Sequence, residues 1–504
     1  MTSPDPAPLS EPTTAAGASA VGQATLRRSL SVWQAVGLSI ALMAPSMAAN
    51  INPQGTAGSV GRAVPLAFLI ATVGVLLVAY VFVRLCQRFN HAGSVYAFVA
   101  STLGARAGTA AGWSLMGTYC FYGVVTSTAA GIFGTSFLQQ VGVLTDPPGW
   151  VPFLISGLVL VLVWLLTVIP VRGGTRVLLT VEGVTVALIL AVSLAVLVHL
   201  FAGTAPGGLR PTWSVFTVAP GTDTSALFLG VVFGFLSFAG FEAAATLGEE
   251  ARQPRRDIPR AILGTAIFGG CYFVFVTAVE VMGFGTSDEG VAAFTHSSSL
   301  LGDLGAQYVG AWVGDLISLG AAISAFGCAL ACAVGASRLL YALSRDAVGD
   351  RGLGKVSRLG TPAASAAVVV LAMYAIVAVC GWGAGAAAMD VFLWTGTIGT
   401  LILLVVYLVT TVGAIRLLFF TPPRTVPMWE LVIPILALVV LGYTVFRNVV
   451  PYPTGAGAAF PIVAGGWIVL GILAVALVPR LARFAEREEL TPPTGTPRAG
   501  GAPR

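Results

Sequence analysis

The chain contains few charged residues: Asp, Glu, Lys and Arg make up 9% of its 504 residues, whereas hydrophobic residues make up 56%. Soluble globular proteins carry about 25% charged residues, so this composition excludes an ordinary soluble protein. Lysine is nearly absent, since Lys355 is the only one, and the sequence holds only six cysteines and three histidines. We therefore expect neither a disulfide framework nor a metal site. The shortage of charge predicts a chain that lies mostly within a lipid bilayer.

The sequence also lacks the patterns that mark several functional classes. It has no glycine-rich phosphate-binding loop, so we do not expect this chain to drive transport with ATP. Its apolar stretches contain no histidine cluster and no nucleophile–base pair, so we expect neither an enzyme nor a cofactor. These absences leave a membrane protein that binds or moves a small molecule.

Uncharged apolar stretches recur along the chain and set its organisation. Most are as long as the roughly 20 residues that a helix needs to cross a bilayer. We predict twelve transmembrane helices, the shortest of which is residues 431–446. The clear spans are 64–83, 151–168, 183–200, 261–279, 316–337, 363–382, 391–415 and 460–479, and the weaker ones are 29–61, 107–139, 224–241 and 431–446.

The distribution of basic residues predicts the orientation of these helices. Twelve spans place both termini on one side of the membrane. Of the 26 Lys and Arg residues, only Arg62, Arg210 and Arg447 fall outside the tails and the loops on that side. Such an asymmetry is typical of cytoplasmic segments. The net charge of +5 therefore indicates membrane orientation with both termini in the cytoplasm, and not nucleic-acid binding.

A proline interrupts the first apolar stretch, at Pro45 in the run 41–48 (ALMAPSMA). Proline has no N–H group, and its ring disfavours a helical conformation at the preceding Ala44. A helical hydrogen bond is therefore lost in the middle of the membrane, where free backbone groups are tolerated only beside protein or a solute cavity. Two interpretations remain open: a proline kink repaired by a neighbouring helix, or a broken helix of the kind that forms substrate sites in secondary transporters.

The sixth apolar stretch contains a carboxylate. Glu242 follows the run 234–241 (GFLSFAGF), in which Gly240 weakens the helix. An acid inside the membrane costs about 3 kcal/mol unless it is paired, neutral or in contact with water. Glu242 is therefore a candidate functional residue and a candidate proton acceptor. The alternative is that it lies past the hydrocarbon edge, near Glu249 and Glu250.

Three motifs carry a resemblance to a known family. The first is 238–242 (FAGFE), followed by 249–250 (EE) and 254–259 (PRRDIP), and the second is 337–346 (SRLLYALSRD). The third is 88–96 (RFNHAGSVY), followed by 112–113 (GW). Their order and spacing extend over residues 30–480. On these motifs the chain resembles the amino acid–polyamine–organocation permeases.

The resemblance implies an all-α membrane protein of LeuT-type fold, with two inverted repeats of five transmembrane helices plus two peripheral helices. The first repeat would span 29–202 and the second 203–418, with helices 11 and 12 in 419–480. Residues 1–28 would form a disordered cytoplasmic N-terminal tail and 481–504 a cytoplasmic C-terminal tail. The Pro, Ala, Ser and Thr content of 1–24 and the Pro, Gly and Thr content of 490–504 independently predict disorder. The sequence independently supports these repeats, because the two interrupted stretches are the first helices of the two repeats.

The resemblance also implies where the substrate binds. In such permeases the substrate's carboxylate meets N–H groups at the break in helix 1, and its amine meets free carbonyls of helices 1 and 6. The N-terminus of a half-helix carries partial positive charge and unpaired N–H donors, which suits this role. Glu242 would be the proton-coupling candidate. The implied substrate-binding residues are Met43, Ala44, Pro45, Ser46, Met47, Leu236, Ser237, Phe238, Ala239, Gly240 and Phe241.

The helix 1 segment departs from the family pattern, which commonly has Gly–small–Gly at the break. Pro45 donates no hydrogen bond, so two alternatives arise. In one, Pro45 begins the outer half-helix, where its missing N–H costs little, and the N–H groups of Ser46 and Met47 face the substrate's carboxylate. In the other, the substrate has a weakened or absent carboxylate, as in an amine or polyamine.

Aromatic side chains near the two breaks are candidates for a lid over the substrate. Phe238 lies inside the interrupted segment, and we expect it to form that lid. We interpret Tyr119, Tyr122 and Trp394 as packing residues.

Four further acids lie in or near the apolar stretches. We expect Glu182 toward the cytoplasmic end of helix 5, within reach of Arg176, and Glu280 in helix 7 as another candidate proton relay. Asp315 and Asp390 are expected near the outer surface, where water solvates them.

Together these features predict a multi-pass permease of the cytoplasmic membrane that moves an amino acid by alternating access, coupled to protons or to exchange. In sodium-coupled relatives by fold, hydroxyls of helix 8 help to hold the ion, and here the relevant run 319–327 offers Ser324 alone, so sodium coupling is not expected. The expected partners are a small-molecule substrate and the lipid bilayer, with the oligomeric state left open. Two alternatives remain: a carrier of a polyamine or other organic amine, and a membrane sensor that keeps the permease fold without transport.

Overall fold

The computed structural model describes residues 32–89, 95–169, 174–247, 253–348, 351–357, 360–424 and 426–478. Within these ranges the chain is helical and contains no strand. The prediction of an all-α membrane protein is confirmed. The two predicted tails, the acids Glu249 and Glu250, and residues 90–94 of the third motif lie outside the described residues.

Sixteen α-helices follow one another among the described residues, joined by short 3₁₀ and π segments. The α-helices are α1 (Val32–Met43), α2 (Pro45–Val60), α3 (Val64–Arg88), α4 (Val95–Leu103), α5 (Ala105–Gln140), α6 (Val151–Val168), α7 (Gly174–Ala202), α8 (Leu227–Phe238), α9 (Pro254–Phe284), α10 (Asp288–His296), α11 (Leu300–Tyr308), α12 (Ala311–Val348), α13 (Ala363–Ala378), α14 (Ala388–Ile415), α15 (Val432–Arg447) and α16 (Ala459–Leu477). The 3₁₀ segments are Gly61–Ala63, Pro206–Gly208, Trp213–Phe216, Thr224–Ala226, Ala243–Leu247, Gly352–Gly354, Met428–Leu431 and Gly455–Ala458, and the π segments are Val379–Gly383 and Arg416–Phe420.

Eleven segments of the described chain are long and apolar enough to cross a membrane. The first, Ala35–Arg88, is 54 residues long and includes both the first and the second predicted span. α4, α10 and α11 are too short to cross a bilayer. The exact number of twelve spans and the inverted repeats stay predictions.

The centre of the molecule is built around α5, which packs along both α12 and α14. Beside it, α2 packs against α8, and α3 packs against α9. In the most apolar window of α14, 72% of the residues are buried, compared with 28% in the segment that holds α15 and 17% in the segment that holds α16. The last two helices therefore lie at the periphery, and their large exposed apolar side chains suit contact with lipid.

A pair of tryptophans attaches α16 to the central helix α5. The rings of Trp113 and Trp467 stack with centroids 4.9 Å apart. Each indole N–H donates to the other residue's backbone carbonyl at 3.1 Å. The approach requires glycine at position 117, because a Cβ there would lie 2.1 Å from the Trp467 ring nitrogen.

The carboxyl of Asp303, on the short helix α11, makes the stability of the fold depend on pH. Burial raises the pKa of the Asp303 carboxyl above its ordinary value, although the Ser297 hydroxyl, which donates a 2.6 Å hydrogen bond to it, acts in the opposite direction. A raised pKa means that the fold favours the neutral acid, so this contribution to stability is present at low pH and is lost as pH rises through the raised pKa.

We therefore expect Asp303→Asn to melt at a higher temperature than the wild type near about pH 8, with the difference shrinking toward about pH 4. Asparagine keeps an oxygen that accepts the Ser297 hydrogen bond and removes the buried charge. Thermal unfolding of both proteins in detergent, followed by intrinsic fluorescence across this pH range, measures the difference. A gap that is independent of pH would contradict the assignment.

Candidate functional site

The first membrane-spanning segment breaks at a single residue, Ala44. α1 ends at Met43, Ala44 adopts a left-handed conformation (φ 45°, ψ 57°), and α2 begins at Pro45. A left-handed conformation is uncommon for a residue with a Cβ and costs about 1–2 kcal/mol. Pro45 makes the break possible, because its fixed φ suits the first position of a helix and its missing N–H would have had no intrahelical partner there.

The N–H donors at the start of α2 already have acceptors. The Ser46 N–H donates to Glu182 Oε1 at 2.8 Å, and the Met47 N–H donates to the Ser324 hydroxyl at 3.4 Å. The next donor, the Ala48 N–H, bonds to the Ala44 carbonyl at 2.9 Å. Since Pro45 has no N–H, every backbone N–H of this first turn is accounted for by the protein itself.

Glu182 therefore has a different place from the one predicted. We expected it near the cytoplasmic end of helix 5, within reach of Arg176, but its carboxylate accepts the Ser46 N–H at the break, and the residue is 5% exposed. The physical reason is that the first turn of α2 offers unpaired N–H groups and partial positive charge, which stabilise a carboxylate in the protein interior. The bond joins residues 136 positions apart, which no local pattern in the sequence indicates.

The sixth predicted span is interrupted three residues later than expected. The implied substrate-binding residues 236–241 place the interruption from Leu236 onward, but α8 continues to Phe238, so Leu236, Ser237 and Phe238 are helical. The Ser237 hydroxyl donates to the Phe233 carbonyl at 2.9 Å, within the helix. The chain then turns at Gly240, whose φ of 104° suits glycine alone, and continues as the 3₁₀ segment Ala243–Leu247.

The two interruptions touch. A Cβ added at Gly240 would lie 2.7 Å from the Leu42 Cβ and 3.2 Å from the Met43 nitrogen. Close by, the Ala244 N–H donates to the Ser39 hydroxyl at 3.0 Å. The turn after α8 is therefore packed directly against the end of α1, and glycine at position 240 permits the contact.

A cavity of about 60 Å³ lies beside this contact, bordered by both interruptions and by α5, α12 and α14. Five of the predicted substrate-binding residues line it: Met43, Met47, Leu236, Ala239 and Gly240. The other six, Ala44, Pro45, Ser46, Ser237, Phe238 and Phe241, do not line it. The remaining lining residues are Leu42, Asn52, Val95, Thr118, Tyr119, Tyr122, Val125, Thr126, Glu242, Ala243, Cys328, Cys332 and Leu403.

Glu242 is the charged residue of the cavity wall. Its side chain is buried, and Oε2 has no hydrogen-bond partner within the described part of the chain. No Arg, Lys or His from the described residues borders the cavity. A carboxyl buried in this way, without a cationic partner, is stable only when it is protonated or when a ligand supplies the positive charge.

Three tyrosines surround the Glu242 carboxyl and interact with it electrostatically: Tyr119, Tyr122 and Tyr407. We had interpreted the first two as packing residues, but both line the cavity, and the Tyr122 hydroxyl lies 3.0 Å from the Thr400 hydroxyl. The sequence carried one signal that would have found them, since they lie three apart on one face of a helix.

Phe238 does not form the expected lid. Its ring is 1% exposed and packs edge-on against Phe273, with centroids 5.4 Å apart. A Cβ at Gly269 would lie 2.9 Å from this ring, so α9 packs against Phe238, which does not line the cavity. Trp394 is a partly buried residue packed on the apolar core, as its interpretation as a packing residue implies.

The remaining acids lie apart from the cavity. Glu280 is completely buried in α9, and neither of its carboxylate oxygens has a hydrogen-bond partner among the described residues. Asp390 caps the start of α14 by accepting the Ala387 N–H at 3.1 Å. Asp315, near the start of α12, is partly exposed.

Comparison with known proteins identifies one family. The model of the amino acid permease family matches residues 31–478. A low-affinity putrescine importer of Escherichia coli K12 is 28% identical over 293 residues, which cover 56% of this chain and 60% of the importer. The chain therefore spans less than two thirds of that relative's length.

Two other relatives transport amino acids according to their names. A branched-chain amino acid permease of Bacillus subtilis is 25% identical over 344 residues, covering 66% of this chain and 71% of the relative. A mitochondrial cationic amino acid transporter of Arabidopsis thaliana is 26% identical over 297 residues, which cover 57% of this chain and 46% of the transporter. With the family model matching nearly all of the described residues, the chain belongs to the amino acid permease family of the amino acid–polyamine–organocation superfamily.

Proposed function

We propose that the protein is a secondary-active permease that carries an amino acid or a related organic amine across the cytoplasmic membrane by alternating access. One observation carries the proposal: the interruptions after α1 and after α8 meet at a buried cavity whose wall contains the Glu242 carboxyl, with no cationic partner among the described residues. Broken helices that face a cavity near the membrane midplane are the usual substrate sites of secondary transporters.

The proposal includes a fold of twelve transmembrane helices arranged as two inverted repeats, 29–202 and 203–418, followed by two peripheral helices. α1 with α2 would begin the first repeat and α8 would begin the second. The shared interruption of these two segments supports this arrangement, as does the outer position of α15 and α16. Both termini would lie in the cytoplasm, as the distribution of basic residues indicates.

The size of the cavity supports alternating access. Pockets that hold small ligands commonly measure about 300–1,000 Å³, whereas this cavity measures about 60 Å³. The site must therefore enlarge when the substrate enters. The elements best placed to move are the two interrupted segments, because Ala44 and the turn at Gly240 are the points where helical hydrogen bonding is lost.

Protons are the proposed coupling ion, with exchange of substrates as the alternative. Glu242 is the group that would take up the proton, since it is buried beside the cavity without a cationic partner. Substrate binding and protonation both neutralise this carboxyl, so the two events are linked at one residue.

Uptake of radiolabelled amino acids and organic amines into proteoliposomes tests the proposal. Because proton and substrate compete for Glu242, we expect concentrative uptake of at least one compound, above that of empty liposomes, when the lumen is acidic relative to the medium. Specific binding of compounds without uptake under any gradient would favour the membrane sensor instead.

Sodium should not be required for this uptake. The space between the break in helix 1 and α12 contains the Glu182 carboxylate, which is held by N–H donors at the positive end of α2. Ser324 already accepts the Met47 N–H, and a hard cation needs about six oxygen ligands. We expect equal initial rates in sodium and choline buffers at matched pH and voltage. Uptake that follows an imposed sodium gradient and disappears in choline would contradict this prediction.

A further inference from the structure

We infer that the substrate is a primary organic amine that lacks an α-carboxylate, because Glu182 of the protein occupies the helix terminus that would otherwise bind one. The inference rests on the proposed function and narrows it to one of the two substrate classes. Three features of the site lead to it: the donors are capped, the acceptors are unpaired, and the charge of the wall is negative.

The capped donors lie at the start of α2. A substrate carboxylate would bind there by accepting hydrogen bonds from the N–H groups of the first turn. Those of Ser46 and Met47 already donate to Glu182 and Ser324, and Pro45 has none to offer. Ser46, Glu182 and Ser324 also do not border the cavity. A carboxylate in the cavity would therefore have to displace a buried acid of the same charge.

The unpaired acceptors lie on the cavity wall. Asn52 is 1% exposed, and its side-chain nitrogen donates to the Ser237 hydroxyl at 2.7 Å, which leaves Oδ1 without a partner within the described chain. Glu242 Oε2 is likewise buried there without a hydrogen bond of normal geometry, although the Tyr407 hydroxyl lies near enough to interact with the carboxyl. A buried acceptor that lacks a donor costs about 1–3 kcal/mol. An ammonium group has three N–H donors and no acceptor, so it complements these atoms.

The charge of the cavity wall also favours an ammonium group over a carboxylate. Glu242 is the sole ionisable acid or base, tyrosine and cysteine aside, that the described residues contribute to the lining. A second carboxylate would be buried beside it without a cation, which is strongly unfavourable. An ammonium forms an ion pair with Glu242 instead, beside the aromatic side chains of Tyr119 and Tyr122 in the cavity lining.

The rest of the wall suits an alkyl chain. Leu42, Met43, Met47, Leu236 and Leu403 line the cavity, and methionine side chains adapt readily to ligands of different shape. One carboxyl together with a largely apolar wall matches one ammonium group on a hydrocarbon chain.

Matched pairs of compounds that differ only in the carboxylate test the inference. We propose to measure binding of 3-methylbutylamine against leucine, and of putrescine against ornithine, by isothermal titration of the purified protein in nanodiscs. At least one amine should bind at least about 10-fold more tightly than its amino acid. Amino acids that bind as tightly as their amines, or more tightly, would overturn the inference and leave the proposed transport function intact. If none of the four compounds, and no amino acid in a wider screen, is bound or transported, the proposed function itself fails.

Two variants of Glu182 give a second readout. Glu182→Ala frees the Ser46 N–H, so the ratio of amine to amino acid affinity should fall by about 10-fold or more. Glu182→Gln is the matched control, because its amide oxygen still accepts that N–H and the ratio should stay above the alanine value. If both folded variants keep the wild-type ratio, Glu182 does not select against the carboxylate. If the alanine variant fails to fold, the comparison of matched compounds on the wild type still decides.

Discussion

Glu242→Gln is expected to reduce uptake at least about 10-fold while the protein is still expressed and folded, because the variant keeps the shape of the side chain but removes the charge that pairs with the substrate. The carboxyl is buried in the cavity wall without a cationic partner among the described residues. Removing a buried unpaired charge does not destabilise the fold. The residual uptake should also lose the pH dependence of the wild type. Initial rates in proteoliposomes across a pH series measure both effects.

Glu280→Gln is the matched control for this experiment. Glu280 is another completely buried carboxyl without a hydrogen-bond partner in the described chain, but it does not border the cavity. Its replacement should leave the rate and the pH profile of uptake close to those of the wild type. If Glu280→Gln changes the pH profile and Glu242→Gln does not, the proton site has been assigned to the wrong residue.

Gly240→Ala should unfold the site or the whole protein. The residue has a φ of 104° and lies against the end of α1, where a Cβ would meet the Leu42 Cβ at 2.7 Å. The backbone strain costs about 1–3 kcal/mol, and the overlap costs a similar amount. We expect a lower melting temperature in detergent and loss of uptake. Both follow from pushing apart the two interrupted segments.

Gly264→Ala is the control for the effect of adding a methyl group to a glycine. Gly264 lies within the helix α9, has ordinary helical backbone angles, and a Cβ there would meet no atom within 4 Å. Alanine at an exposed helical position stabilises by up to about 1 kcal/mol. A Gly240→Ala protein that melts and transports like Gly264→Ala would show that the two breaks need no glycine between them.

The sequence alone predicts the main parts of this structure, because membrane burial leaves a strong local signal. Long apolar stretches indicate the helices, and Pro45 indicates where the first one breaks, since a proline ring excludes certain hydrogen bonds whatever surrounds it. Glu242 stands out because a charge within an apolar run is costly. Each of these signals depends on a few neighbouring residues.

The rest depends on tertiary packing, which the sequence does not encode locally. Glu182 reaches Ser46 across 136 positions, and only the rotation of α7 decides whether its carboxylate meets the break or the cytoplasm. Phe238 turns toward α9 instead of the cavity because Gly269 leaves space there. Likewise, Tyr119 and Tyr122 face the cavity because α5 packs between α12 and α14.

The most direct test of the central claim is a cryo-electron-microscopy structure of the protein in nanodiscs with a bound amine, such as putrescine or 3-methylbutylamine. We predict density for the ligand between the two interruptions, with its nitrogen about 3 Å from a Glu242 oxygen and with the Ser46 N–H still bonded to Glu182. A ligand bound elsewhere, or continuous helices through Ala44 and Gly240, would contradict the account.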